Sequence, residues 1–218
     1  WGIAGYHHGR ANVLRSADPA LKERRGNLSR EFYMAARAVT SPIILGHLRH
    51  ISAGARSVDN NHPFKLNFLG YDWTMVHNGT ARSYENLVPP SERLLRDSDN
   101  DSARIFEFLR ARIISYYQES SRRSLIEGCR KAYEDLLEAA VGQYNIILSN
   151  GRISFAFIDW RPFYLLYREK QMGDATLVST LRLTYDEEWE EINRLRNKKA
   201  KMLVFSGPTL IFNGDIPR

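Results

Sequence analysis

Cysteine is nearly missing: Cys129 is the single one in 218 residues. One thiol excludes an intrachain disulfide framework and any zinc cluster built on several cysteines. It also suits a reducing compartment, so a cytoplasmic protein is expected. Long apolar runs are absent too. None approaches the roughly 18 residues a membrane helix needs, and no membrane association is expected. The opening Trp1-Gly2-Ile3-Ala4-Gly5-Tyr6 has no basic region and no cleavage site, so these residues are not expected to be a signal peptide. The chain has no initiator Met, no repeat, no low-complexity tract and no flexible linker. One domain over residues 1–218, cut from a longer protein and lacking its N-terminal segment, is expected.

What remains is ordinary globular composition, with 43% hydrophobic and 26% charged residues. Lys and Arg total 31 against 25 Asp and Glu, a net charge of +6. Such a surface attracts anions. The basic residues are scattered, however, and pairs such as Arg122-Arg123, Arg130-Lys131 and Lys198-Lys199 suit solvated faces. Nucleic-acid binding is not expected from them.

The patterning predicts strands at both ends and helices between. Gly2–Tyr6 and Ala11–Arg15 read as a strand pair joined by His7-His8-Gly9-Arg10. Ser29 can cap a helix over about 30–39, and Pro42 stops it. Residues 43–49 look like a buried strand, and two more are predicted near 65–69 and 73–77. Asp99 or Asp101 can cap a helix reaching about Tyr117. Ser121 or Ser124 can start another, whose apolar stripe contains Leu125, Ile126, Cys129, Tyr133, Leu136 and Leu137. Cys129 is therefore expected to be a packed thiol. Residues 144–148 and 153–158 read as a hairpin with a type I′ turn at Asn150-Gly151. Further strands are predicted over 163–167, 175–179, 202–205 and 209–212. Strands, two adjacent helices, then strands imply layered α and β structure rather than alternating βαβ units.

Four polar segments lie near the ends of these apolar stretches. In Gly46-His47-Leu48-Arg49, followed by Ser52, the arginine can grip a carboxylate through two parallel hydrogen bonds or make a structural ion pair. In Asn60-Asn61-His62-Pro63-Phe64, the proline holds His62 extended, which suits either a pocket or a packing role. In His77-Asn78-Gly79-Thr80, an Asn amide and a Gly N–H can stabilise an oxyanion, and the same pair can simply make a tight turn. Asp97-Ser98-Asp99-Asn100-Asp101-Ser102 imitates half a calcium loop. Its sixth and twelfth positions are Ser102 and Phe108 instead of Gly and Glu, so calcium is excluded. A helix cap or an ammonium-binding carboxylate remains there.

Taken in order, these segments resemble the glutaminase domain of class II glutamine amidotransferases, which are N-terminal nucleophile hydrolases. The likeness is closest to the stand-alone branch that includes enzymes of ergothioneine synthesis and fungal glutathione breakdown. Trp1-Gly2-Ile3 resembles the family's Gly-Trp-Gly-Ile strand. Val178-Ser179-Thr180-Leu181, with Trp189 after it, resembles a later strand and turn. The resemblance implies an α+β fold, a four-layer αββα sandwich of two stacked, mainly antiparallel sheets. It implies that Arg49 binds the α-carboxylate of glutamine, that Asp101 binds its α-amino group, and that Asn78 and Gly79 form the oxyanion hole. Ser52 and His62 complete the substrate site. Asn100 departs from the family, which has a threonine there.

No cofactor and no metal are implied. The partners implied are glutamine or a γ-glutamyl small molecule and a separate synthase or acceptor subunit, with self-association left open. The nucleophile would be an N-terminal cysteine with its own α-amine as base. Residue 1 here is Trp, so the activity would need residues upstream of it, and the chain as given is expected to be inactive. The competing expectation is a relative without turnover that binds glutamine or a γ-glutamyl compound as a sensor or scaffold.

Overall fold

The computed structural model describes residues 1–22, 27–49, 55–169, 173–192 and 199–217. Strands β1 (Gly2–His7) and β2 (Arg10–Arg15) form an antiparallel hairpin turned by His8 and Gly9 at φ 48° and 76°. A short pair follows, β3 (Leu21–Lys22) with β4 (Asn27–Leu28). Helix α1 (Arg30–Ala38) starts where the Ser29 hydroxyl accepts from Phe32 N–H at 3.1 Å. It ends at Val39, three residues before Pro42. Strand β5 (Ile44–His47) then pairs with the other edge of β1.

Strands β6 (Phe64–Phe68) and β7 (Tyr71–Ala81) turn back through Leu69 and Gly70, both at positive φ. Helices α2 (Asp101–Tyr116) and α3 (Arg122–Ala139) come next. The chain closes with β8 (Gly142–Ser149), β9 (Ile153–Ile158), β10 (Phe163–Arg168), β11 (Ala175–Ser179), β12 (Glu190–Ile192), β13 (Ala200–Ser206) and β14 (Thr209–Ile216). Among the described residues no helix is long and apolar enough to cross a membrane.

A six-stranded antiparallel sheet in the order β14-β13-β9-β8-β7-β6 divides the molecule. Side chains alternate across it. Trp73, Met75, Ile146, Leu148, Phe155 and Phe157 point to α2 and α3, where they meet Phe106, Leu109, Tyr133 and Leu136. Val76, Ala156 and Ile158 point the other way. That second face carries two three-stranded sheets. Sheet β2-β1-β5 packs through Ala4, Tyr6 and Leu45, and sheet β11-β10-β12 packs through Phe163, Leu165 and Ile192. Helix α1 lies outside the first of them, with Phe32 edge-on to Trp1 at 5.4 Å. Two helices, a sheet, a split second sheet and one helix make the four layers expected.

Between the edges of β5 and β11 that are unpaired among the described residues runs an apolar slot of about 510 Å³, lined by Ile3, Ile44, Ile147, Phe163, Val178 and Leu181 among others. It explains why residues 43–49 are not the buried strand predicted. Only Ile44–His47 are strand, and Ile44 stays 53% exposed because its apolar side faces the slot.

Two smaller expectations also change. Neither aspartate caps α2: Asn100 does, with Oδ1 accepting from Ala103 N–H at 2.9 Å. The β8–β9 loop closes where Asn150 N–H donates to Ile153 O, leaving Gly151 and Arg152 as its central residues. Gly151 alone has positive φ there, whereas a type I′ turn needs positive φ at both central residues, so the turn is not type I′. The Asn150 side chain is occupied instead, accepting from Arg152 N–H and Ile153 N–H.

Candidate active site

Asn78 and Gly79 lie within β7, opposite Asn145 and Tyr144 of β8, so they are not the tight turn their sequence also allowed. Gly79 has φ 152°, and a Cβ there would fall 1.8 Å from the Gln143 carbonyl oxygen. Only glycine lets the two strands approach this closely.

Beyond Gly79, the start of α2 is tied to the end of β7. Asp101 Oδ2 accepts from Ala81 N–H at 2.8 Å, and Oδ1 accepts from Ser102 N–H at 2.8 Å. The carboxylate thus lies at the positive end of a helix, which favours its charge.

The segment leading to His62 is fixed by its two asparagines. Asn60 donates to Asp99 Oδ1 at 2.6 Å and accepts from Ser98 Oγ and Asp99 N–H. Its carbonyl accepts from Asn100 Nδ2. Asn61 donates to Ser16 O at 2.6 Å. Asn100, the residue that departs from the family pattern, therefore both caps α2 and holds the His62 segment.

Three histidines gather beside this wall. His47 Nε2 donates to the His77 carbonyl at 3.1 Å, and the His47 and His62 rings lie 4.2 Å apart. His77 Nε2 donates to Gln143 O at 3.0 Å, and its Nδ1 is hydrogen-bonded at 2.9 Å to Ser102 Oγ, which also lies 3.2 Å from Asp101 Oδ1. Burial pushes all three down, His47 to about 4, and Asp101 opposes the fall at His77. They are neutral at pH 7. Both ring nitrogens of His62 and Nδ1 of His47 are buried with no hydrogen-bond partner among the described residues.

These groups enclose a cavity of about 310 Å³ whose walls include Arg49, His62, Asn78, Gly79 and Asp101. Five of the six expected site residues therefore meet in one place. The sixth, Ser52, lies outside the described residues. Arg49 donates to Ala55 O at 3.2 Å. Cys129 is fully buried against the α2–α3 core, and burial pushes its thiol far above the usual range.

The cavity also contains His47 and His77, which lie in the segments singled out from the sequence but were given no role there, and Trp160 and Arg161, which the sequence reading missed. The last two sit on the loop after β9. Asn145 holds that loop: its Oδ1 accepts from the N–H groups of Trp160 and Arg161, and its Nδ2 donates to Arg161 O at 2.8 Å. Asp159-Trp160-Arg161-Pro162 reads only as a turn after an apolar strand, so nothing local marked it.

Comparison with known proteins gives the arrangement its context. The chain is 23% identical over 180 residues to YafJ of Escherichia coli, named as a candidate glutamine amidotransferase, covering 82% of this chain and 67% of that protein. It is 26% identical over 185 residues to an uncharacterized protein of Methanocaldococcus jannaschii, covering 81% of this chain but 48% of that one. The chain thus spans about half to two thirds of these relatives.

Among solved structures, a predicted glutamine amidotransferase from Pseudomonas aeruginosa superposes with a TM-score of 0.68 at 20% identity, over 97% of this chain and 86% of that one. A glutamine phosphoribosylpyrophosphate amidotransferase from Bacillus subtilis gives 0.63 at 14% identity, over 99% of this chain and 42% of that one. These likenesses identify the stacked sheets as the fold of the N-terminal nucleophile hydrolases. Because the family model for class-II glutamine amidotransferases matches residues 1–180, the chain belongs to that family.

Proposed function

We propose that the cavity binds the glutamyl part of glutamine or of a γ-glutamyl amide, and that the full-length protein cleaves the γ-amide through a cysteine upstream of Trp1. The observation that carries this reading is one cavity walled by Arg49, Asp101, Asn78 and Gly79. A free α-amino acid is a zwitterion, so its site needs one fixed cation and one fixed anion. Arg49 serves the carboxylate and Asp101 the ammonium group, with Ser52 and His62 completing the contacts. The γ-carbonyl then lies against Asn78 and Gly79. Attack of the thiolate forms a tetrahedral oxyanion stabilised by these two donors. The cysteine's α-amine takes the thiol proton and passes it to the departing nitrogen. Ammonia or an amine leaves, and water hydrolyses the thioester to release glutamate.

The slot supports delivery of that cysteine. It shares His47, Leu48 and Asn78 with the cavity, so a strand lying along β5 would end beside the oxyanion donors. In this reading the chain is most of a single cytoplasmic glutaminase-type domain that uses no cofactor. It hands ammonia to a separate synthase or acceptor subunit, or acts as a hydrolase.

Calorimetry with glutamine, run beside an ammonia-release assay on protein bearing its natural upstream residues, tests this. Saturable binding with ammonia release is expected. Arg49→Ala and Asp101→Asn should each weaken binding about tenfold or more, the scale of a charge-assisted contact. Binding without release would point instead to a sensor or scaffold. No binding at all would sink both readings.

A further inference from the structure

One hydroxyl proton in the cavity wall faces two acceptors. Ser102 Oγ lies 2.9 Å from His77 Nδ1 and 3.2 Å from Asp101 Oδ1. All three residues are buried and line the cavity. His77 is held so that Nδ1 can only accept. Its Nε2 lies 3.0 Å from the Gln143 carbonyl oxygen, which has no hydrogen to give, so Nε2 carries the proton of the ring. Burial keeps the ring neutral. Nδ1 therefore presents a lone pair to Ser102. The ring is also fixed in place. It lies over Gly79, where a Cβ would fall 2.8 Å from Nε2, and it stacks on Tyr144 with centroids 5.9 Å apart.

Asp101 is where this competition matters. Oδ2 accepts from Ala81 N–H and Oδ1 from Ser102 N–H, both at 2.8 Å. A carboxylate oxygen can accept two hydrogen bonds, so one place is left on each. An ammonium group has three N–H donors to satisfy. A Ser102 hydroxyl turned to Oδ1 would fill the remaining place on that oxygen and offset part of its charge. Distance decides against that orientation. An O–H donating to a carboxylate closes to roughly 2.5–2.7 Å. The 3.2 Å separation from Oδ1 is a poor contact by that measure, whereas 2.9 Å to Nδ1 is an ordinary hydrogen bond. The hydroxyl therefore belongs to His77.

We propose that His77 is a positioning residue for the α-ammonium of the substrate: by accepting the Ser102 hydroxyl, it keeps one place open on each oxygen of Asp101. It acts through Ser102 and Asp101, not on the reacting bond. This inference rests on the γ-glutamyl reading above, in which Asp101 holds the ammonium group.

Titration calorimetry on the 218-residue chain tests this, with L-glutamine and glutaramate as probes. Glutaramate is glutamine without its α-amino group. His77→Phe leaves Asp101 as the acceptor facing the Ser102 hydroxyl. It should weaken glutamine about tenfold, the scale of one charge-assisted bond, and glutaramate much less. Adding Ser102→Ala should recover most of that loss, because no hydroxyl is then left to compete. Two further variants separate acceptance at Nδ1 from the tie to Gln143, and they read the same contrast if His77→Phe does not fold. In His77→Asn the amide oxygen reaches the place of Nδ1 and should preserve glutamine binding. In His77→Gln the amide reaches the place of Nε2 and should not. Undiminished glutamine binding by His77→Phe, equal losses for the two probes, a loss that Ser102→Ala does not relieve, or rescue by Gln alone overturns this inference and leaves the γ-glutamyl site standing. If the unmodified chain does not bind glutamine, the γ-glutamyl reading falls and this inference falls with it.

Discussion

His47, His62 and His77 are three basic side chains held uncharged in one place, and that has a thermodynamic consequence. Each has a folded pKa below its ordinary 6.5. As pH falls, the unfolded chain takes up protons that the native state refuses, so stability rises with pH and is lost on acidification. For His47 the window runs from about 6.5 down to about 4. The limiting slope is about 1.4 kcal/mol per pH unit for each histidine. Urea unfolding between pH 7 and 5 should show this decline, and His62→Phe should flatten it by roughly one histidine's share. Parallel profiles for the two proteins would contradict the assignment.

Gly79 makes a second demand at the same scale. Gly79→Ala places a methyl against the Gln143 carbonyl and should destabilise the protein by about 2 kcal/mol or more in urea titration. A change within about 0.5 kcal/mol would show that β8 can give way. The chemistry-bearing residue types were legible because their spacing is local. Trp160 and Arg161 were not, because what brings them to the cavity is Asn145, 15 and 16 residues earlier.

At the scale of elements, α2 carries the cavity-lining residue Asp101 on its first turn and depends on a buried ion pair just beyond it. Arg104 Nη1 lies 2.6 Å from Glu107 Oε2, with the side chains 3% and 2% exposed. Glu107 Oε1 accepts from the N–H groups of Leu94 and Leu95, and Arg104 donates to the carbonyls of Leu95 and Ser98. The pair therefore straps the loop before α2 onto the helix. Removing one partner strands a buried charge, so Arg104→Met should cost about 3–5 kcal/mol. The double change Arg104→Met with Glu107→Leu should recover part of that, which a double-mutant cycle in urea would read. Additive losses would mean that the two charges act separately.

Helix α2 itself was legible from its spacing, and α3 from its stripe. The capping residue was misjudged because Asp99, Asn100 and Asp101 are all competent caps. Tertiary bonds decide among them, Asn100 to the Asn60 carbonyl and Asp101 to Ala81 N–H. Strand β7 was underestimated in the same way. Its last residues look like a turn until β8 pairs with them.

Across the whole molecule, strand order was beyond local patterning. β13 lies beside β9 with three strands between them in sequence, a pairing set by long-range register. The family resemblance supplied the layers, and the structure adds the slot that splits the second sheet. β5 pairs only with β1, and β11 only with β10, among the described residues. Each therefore shows one edge of unpaired backbone groups above an apolar floor that includes Ile147 and Phe163. Such an edge is a template for another strand.

If upstream residues lay the nucleophile's strand along β5, the outward amides of Ile44–His47 become bonded. Their hydrogen exchange should then slow at least tenfold in protein carrying those residues, relative to the chain beginning at Trp1, while exchange in α2 and α3 changes little. Ile44→Lys, whose side chain faces the slot, should reduce that protection and ammonia release together. Equal exchange at β5 in the two proteins would show that the strand, and with it the thiol, does not enter here.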